Sequence, residues 1–177
     1  RNIKAGQKQV GLWVTLANGL AAEVVAHAGY DWVVVDTEHS PGGVLDAATQ
    51  LQAFAGTNTT ALARPAWNDA VMIKRLLDIG AKGLVIPMIE SVEEAKQAIA
   101  ATRYPPHGIR GVAGGTRASK FGRIKDYTAT IENELTVILQ LESASAIAQA
   151  EDIAALDGVS GIFFGPADIA ADIGHLG

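Results

Sequence analysis

Cysteine is absent from the 177 residues, which removes disulfides, thiolate metal sites and thiol nucleophiles from consideration. No apolar run approaches the length of a membrane span. The basic residues form no long cluster, so neither nucleic acid nor an anionic bilayer is expected as a partner. Lysine is missing from the C-terminal ends of the apolar runs: Lys82 precedes one and Lys74 falls in a helical pattern. A Schiff-base mechanism therefore has no obvious nucleophile. The glycine-rich stretch Gly111–Arg117 matches neither a P-loop nor a Rossmann fingerprint, because lysine, spacing and preceding strand are wrong. What remains is a mildly acidic chain, net charge −5 and 49% hydrophobic, enough for one domain with a sizeable core. A cytoplasmic protein acting on a small anionic substrate, held by one or two arginines, is the expectation.

Apolar runs alternate with helical patterns along the chain. Val10–Leu16, Trp32–Asp36, Thr60–Arg64, Gly83–Met88, Thr136–Glu142 and Gly161–Phe164 are short and rich in Val, Ile and Leu, as strands covered on both faces should be. Between them, 3.6-residue periodicity predicts helices over Leu20–Ala28, Val44–Ala55, Asp69–Ile79, Ser91–Thr102 and Ser143–Leu156, with Asn68 or Asp69 and Ser91 as N-caps. Gly29, Gly56, Gly80 and Gly158 stand where helices should stop. The exception is Arg103–Glu134, where two prolines and several glycines break the periodicity; this insertion is expected to cover the active face or to join subunits. Six βα steps predict a (β/α)8 TIM barrel of which this chain, 1–177, carries about six units as a single, C-terminally truncated domain, with its original start also missing before Arg1. An open doubly wound sheet is the structural alternative.

Charged residues gather just past the strand ends. On a barrel Asp36, His39, Arg64, Glu142 and Asp168 would converge on one face. Glu142 and Asp168 as a pair suit a hard divalent cation, whereas either alone reads more readily as a helix cap or a solvated charge. His39 can accept a proton from carbon or oxygen, with Asp36 fixing its tautomer; a structurally hydrogen-bonded loop histidine is the plainer reading. Glu38 faces solvent or ties down an arginine. Arg64, at the end of an apolar strand before Pro65, offers a planar fork to a carboxylate or enolate oxygen, or else pairs internally with Asp36, Glu38 or Glu90. Gly165-Pro166-Ala167-Asp168 opens a helix whose first N–H groups could hold a substrate carboxylate. Trp13 reads as a pocket wall or as core.

The runs GLWVT (11–15), GYDWVVVDTEHSP (29–41), LDIGAKGLVIPMIES (77–91), ATRYPPHGIRGV (101–112), LQLES (139–143) and GVSGIFFGPADIAADIG (158–174) together resemble the class II pyruvate-dependent aldolases of the HpcH/HpaI family. The resemblance covers nearly the whole chain. It implies a (β/α)8 barrel of the pyruvate/phosphoenolpyruvate-binding type, a dimer-based homo-oligomer of up to six subunits, and a divalent cation, Mg²⁺, Mn²⁺ or Co²⁺, chelated by pyruvate. Carried onto matching positions, it makes Glu142 and Asp168 metal ligands, His39 the catalytic base with Asp36 behind it, and Arg64 the group on the pyruvate oxo oxygen. Gln140 would lie beside the bound pyruvate, Gly165 and Ala167 would contact its carboxylate, and Arg117, across a one-residue gap, would reach the acceptor. The implied reaction joins pyruvate and an aldehyde to a 4-hydroxy-2-oxo acid, or reverses it, in the breakdown of aromatic or sugar acids. The alternatives are a citrate lyase β-like acyl-CoA lyase and a non-catalytic assembly subunit.

Overall fold

In the computed structural model, residues 5–176 are described; Arg1–Lys4 and Gly177 lie outside them. Six strands, β1 (Gly11–Val14), β2 (Trp32–Asp36), β3 (Thr60–Arg64), β4 (Gly83–Ile86), β5 (Thr136–Leu141) and β6 (Gly161–Phe164), form one sheet. Every pairing is parallel and follows chain order. A doubly wound sheet would reverse its order at a switch point. This sheet instead curls in one sense into a partial barrel, so the open-sheet alternative falls.

Helices cover its outer face: α1 (Gly19–Ala26), α2 (Val44–Ala53), α3 (Ala70–Asp78), α4 (Val92–Thr102), then the short α5 (Tyr127–Thr130), α6 (Ala144–Ile147), α7 (Ala150–Ala154) and α8 (Pro166–Asp172). Asp69 caps α3 by accepting from the amides of Val71 and Met72, and Ser91 caps α4 through Glu94. Gly29, Gly56, Gly80 and Gly158 all sit at positive φ, ending the preceding helical turns without a Cβ penalty. The helix expected over 143–156 is interrupted between α6 and α7, where Ala148 and Gln149 stand outside both segments.

Two-residue periodicity sorts the strand side chains. Val33 and Val35, Leu84 and Ile86, and Val137, Leu139 and Leu141 pack outward under the helices with Ala47, Ile73, Leu77 and Ala98. Val34, Leu62 and Val85 point the other way, into the barrel interior with Trp13, Trp32, Ile138 and Phe163. Asp36, Arg64 and Gln140 share the parity of the interior set. They therefore end their strands facing the barrel axis.

The insertion 103–134 does not cover that end. It packs against the C-terminus of α3: the amide of Ala118 donates to the Asp78 carbonyl, and Arg110 pairs with the Asp78 carboxylate at 2.8 Å. Because α3 runs back antiparallel to the strands, its C-terminus lies at their amino ends. A segment that leaves α4 and enters β5 is held there by connectivity.

Candidate active site

The centre of the site is a charge cluster at the carboxyl ends of β2 and β3, where Asp36 and Arg64 are register partners. Arg64 donates from Nε to Asp36 Oδ1 at 2.8 Å and from Nη2 to Oδ2 at 2.7 Å. Its Nη1 lies 2.9 Å from Glu38 Oε2. The Trp13 ring covers the guanidinium face at 4.2 Å and is itself braced edge-on by Phe163. Two of the five guanidinium N–H bonds are thus committed to Asp36, Nη1 is ion-paired with Glu38 without an aligned hydrogen bond, and the plane is fixed. The internal pairing weighed from the sequence is present in this form, and N–H bonds on Nη1 and Nη2 remain for another acceptor.

Burial pushes the Asp36 carboxyl up, but the Arg64 hydrogen bonds and charge, with the amides of Glu38 and His39, outweigh it and hold the group below its ordinary value. Glu38 is raised, chiefly by burial, against the opposing charge of Arg64. The His39 ring is the outermost member, 68% exposed, with Nε2 3.9 Å from Glu38 Oε2. Asp36 was expected behind His39; its carboxylate faces Arg64 instead, and the acid nearest the imidazole is Glu38.

Glu142 follows β5 and is buried. Met88, at φ 54°, turns its amide onto Glu142 Oε2 at 2.8 Å, and the Gln140 amide donates to Oε1 at 2.5 Å. Burial raises the Glu142 carboxyl; these donors oppose that, and the neighbouring Asp168 carboxylate adds to it. Asp168 reaches Glu142 from the first turn of α8. Gly165 contributes by being small: a Cβ there would stand 2.8 Å from Glu142 Cγ and Oε1. Its own amide is bonded to the Leu141 carbonyl at 3.0 Å, so the expected contact to a substrate carboxylate is already spent. Ala167 is exposed in α8. Arg117 is not brought to this end at all: its Nη1 donates to the Ile79 carbonyl at 2.6 Å, beside the amino end of β4.

Whether a divalent cation fits can be asked of these groups. Among the described residues no cluster of three or more His, Asp or Glu forms a ready cage. Glu142 and Asp168 nevertheless place two carboxylates side by side, and among the described residues neither takes part in a salt bridge. The buried Gln140 Oε1 beside them has no hydrogen-bond partner. Two acids plus an unsatisfied carbonyl oxygen suit a hard ion that keeps water or substrate ligands. The residues fit.

Sequence reasoning missed Met88 and underrated Glu38. A methionine after Pro87 gives no sign of a left-handed backbone, since that residue type rarely adopts it. Glu38 did carry a signal, its two-residue spacing from Asp36.

Consecutive parallel strands bearing a buried ion-paired arginine and paired carboxylates at their carboxyl ends define an enzyme site of the β/α-barrel class. The family profile described as HpcH/HpaI aldolase/citrate lyase matches residues 9–177. A protein named "Pyruvate aldolase" from Rhizobium etli is 51% identical over 177 residues, covering 100% of this chain and 70% of the relative. The "4-hydroxy-2-oxo-heptane-1,7-dioate aldolase" of Salmonella arizonae is 48% identical over 176 residues, 99% of this chain and 67% of the relative. The crystal structure of an HpcH/HpaI aldolase/citrate lyase family protein from Burkholderia cenocepacia superposes with a TM-score of 0.93 at 44% identity, covering 96% of this chain and 69% of that one. The chain belongs to the HpcH/HpaI aldolase/citrate lyase family, and is a carbon–carbon lyase.

Proposed function

We propose that this chain cleaves a 4-hydroxy-2-oxo acid to pyruvate and an aldehyde, or joins the two, with the help of a divalent cation held by Glu142 and Asp168. The observation that carries the reading is the buried Glu142 carboxylate, aimed by Met88 and Gln140 at Asp168 within reach of the Arg64 cluster. The names of the relatives from Rhizobium etli and Salmonella arizonae agree with that substrate class. When bound, the cation supplies Lewis-acid stabilisation of enolate charge.

The chain's own residues do the rest. Arg64, locked by Asp36, Glu38 and Trp13, directs its remaining N–H bonds toward the 2-oxo oxygen, where negative charge grows as the C3–C4 bond breaks. A donor already aimed at that position needs no reorganisation during the step. His39, exposed and free to reach a ligand, takes the proton from the 4-hydroxyl in cleavage and returns it in condensation. Trp13 walls the apolar side of the pocket, and Gln140 places its carbonyl oxygen beside the carboxylates.

The test is to incubate the protein with a panel of 4-hydroxy-2-oxo acids, with and without chelator, and to assay free pyruvate. Chelation is expected to abolish release, and Mg²⁺, Mn²⁺ or Co²⁺ to restore it. Full activity in a rigorously metal-free preparation, or a thioester product in place of pyruvate, overturns the reading.

A further inference from the structure

We propose that Glu90, an acid with no part in the cleavage reading, is a positioning residue: it fixes the backbone that presents Glu142 to the divalent cation, acting through the Ser143 hydroxyl. The inference rests on the cation proposed at Glu142 and Asp168, and on no step of turnover.

From the sequence Glu90 was a possible partner for Arg64, but the guanidinium pairs with Asp36 and Glu38 instead. Its carboxylate is engaged elsewhere. Oε2 accepts from the Ser143 hydroxyl, and the Ser145 hydroxyl lies 3.3 Å from the same oxygen. Ser143 is buried, and its own oxygen accepts the Ala146 amide at 3.1 Å as the N-cap of α6. A hydroxyl has a single proton to give. Ser143 therefore accepts in one direction and donates to Glu90 in another, which pins the residue directly after Glu142.

The rest of the loop after β4 is aimed at the same place. Beyond the last β4–β5 register pair, Ile86 with Leu139, the Ile89 amide still donates to the Gln140 carbonyl at 3.1 Å. One residue earlier, the Met88 amide meets Glu142 Oε2 at 2.8 Å from a backbone at φ 54°. A left-handed backbone is unfavourable for methionine and persists only where its surroundings over-determine it. The bonds made by Ile89 and Glu90 supply that restraint. Two further contacts hold Glu90 itself. Its amide donates to Glu94 Oε2 at 2.8 Å, and its carbonyl accepts from Gln149 Nε2 at 3.2 Å. Gln149 stands in the interruption between α6 and α7, so the break in that helix sets a side chain against the loop. Residues that orient a metal ligand in this way tune affinity without touching the metal.

Mn²⁺ alone is the probe, titrated by calorimetry into wild-type protein and variants, with urea midpoints measured alongside. Glu142→Gln identifies the site by its loss of binding. Glu90→Ala should weaken Mn²⁺ binding roughly 10- to 100-fold. Glu90→Gln, whose side-chain carbonyl still accepts from Ser143, should bind close to the wild type. Glu90→Asp draws the carboxylate back from Ser143; it should weaken binding in the same direction, and it stands in if Glu90→Ala does not fold. The Glu90→Ala/Ser143→Ala double variant should bind no more weakly than Ser143→Ala alone. Unchanged Mn²⁺ affinity in Glu90→Ala with a lowered urea midpoint would mean that Glu90 only steadies the fold, and overturns the proposal. Glu90→Gln as weak as Glu90→Ala would make the effect one of charge, and losses that multiply in the double variant would take it away from Ser143; either overturns it too. If Glu142→Gln leaves Mn²⁺ binding as it is in the wild type, the cation reading itself fails and carries this proposal with it, an outcome distinct from the others.

Discussion

Single residues at the site are held by their neighbours' backbones as much as by side chains, and this makes their substitution effects separable. His39 is exposed and binds no carboxylate of the Glu142 cluster, so His39→Ala should lower turnover by about 10²–10⁴-fold with divalent-ion affinity unchanged by calorimetry. Gly165→Ala acts in the reverse sense. Its Cβ would press on Glu142 Cγ and Oε1 at 2.8 Å. Metal affinity should fall while the His39 ring is untouched, and unaltered affinity would mean that Glu142 relocates freely. Asp36 sets a pH dependence. Its carboxyl is held below the ordinary 3.8, so the stability it confers is full above that value and is lost as pH falls through the lower folded value. Glu38 and Glu142 are raised, and their contribution runs the other way, present at low pH and lost as pH rises through the raised values. Urea midpoints measured across the acid range should show a shallower acid limb for Asp36→Asn than for the wild type; an identical limb would mean that Asp36 carries no linkage.

Among the elements, the βα unit is the repeating device, and its joints are legible. Asp69 accepts from two amides at the start of α3, each at 2.9 Å. Asp69→Ala should cost about 0.5–2 kcal/mol by denaturant titration, leaving the site's chemistry intact because the cap stands a full element away from Glu142. The strand pattern explains how much of the site was readable. Asp36, Arg64 and Gln140 end apolar runs at interior parity, and both facts are sequence facts. Arg117 lies apart from this chain's own cluster for a reason of the same scale. An alignment carries a residue type, but the α4 to β5 connection delivers its side chain to the amino ends of the strands, next to Ile79.

At the scale of the molecule, β1 and β6 each have one strand neighbour among the described residues. Phe164 on β6 is 50% exposed, and Phe121 and Ile124 of the insertion are exposed as well. Open strand edges and exposed apolar side chains favour pairing with another chain. We therefore predict that residues 1–177 associate in a concentration-dependent way in sedimentation experiments, in keeping with the homo-oligomer read from the sequence. A monodisperse monomer with cooperative unfolding would sink that prediction.

The sequence by itself determined the strands, the helix stops at glycine, the order of βα units and the identity of Asp36, Arg64, Glu142 and Asp168 as strand-end charges. Those follow from local rules: two-residue and 3.6-residue periodicity, caps, and the absence of cysteine and of strand-end lysine. The tertiary structure alone decided how the charges are shared. That Asp36 is paired with Arg64, that a left-handed Met88 aims Glu142 and that the insertion lies at the far end all depend on contacts between residues tens of positions apart. Hydrogen-bond capacity is a property of the assembled neighbourhood, and no spacing rule along one chain records which donor reaches an acceptor first.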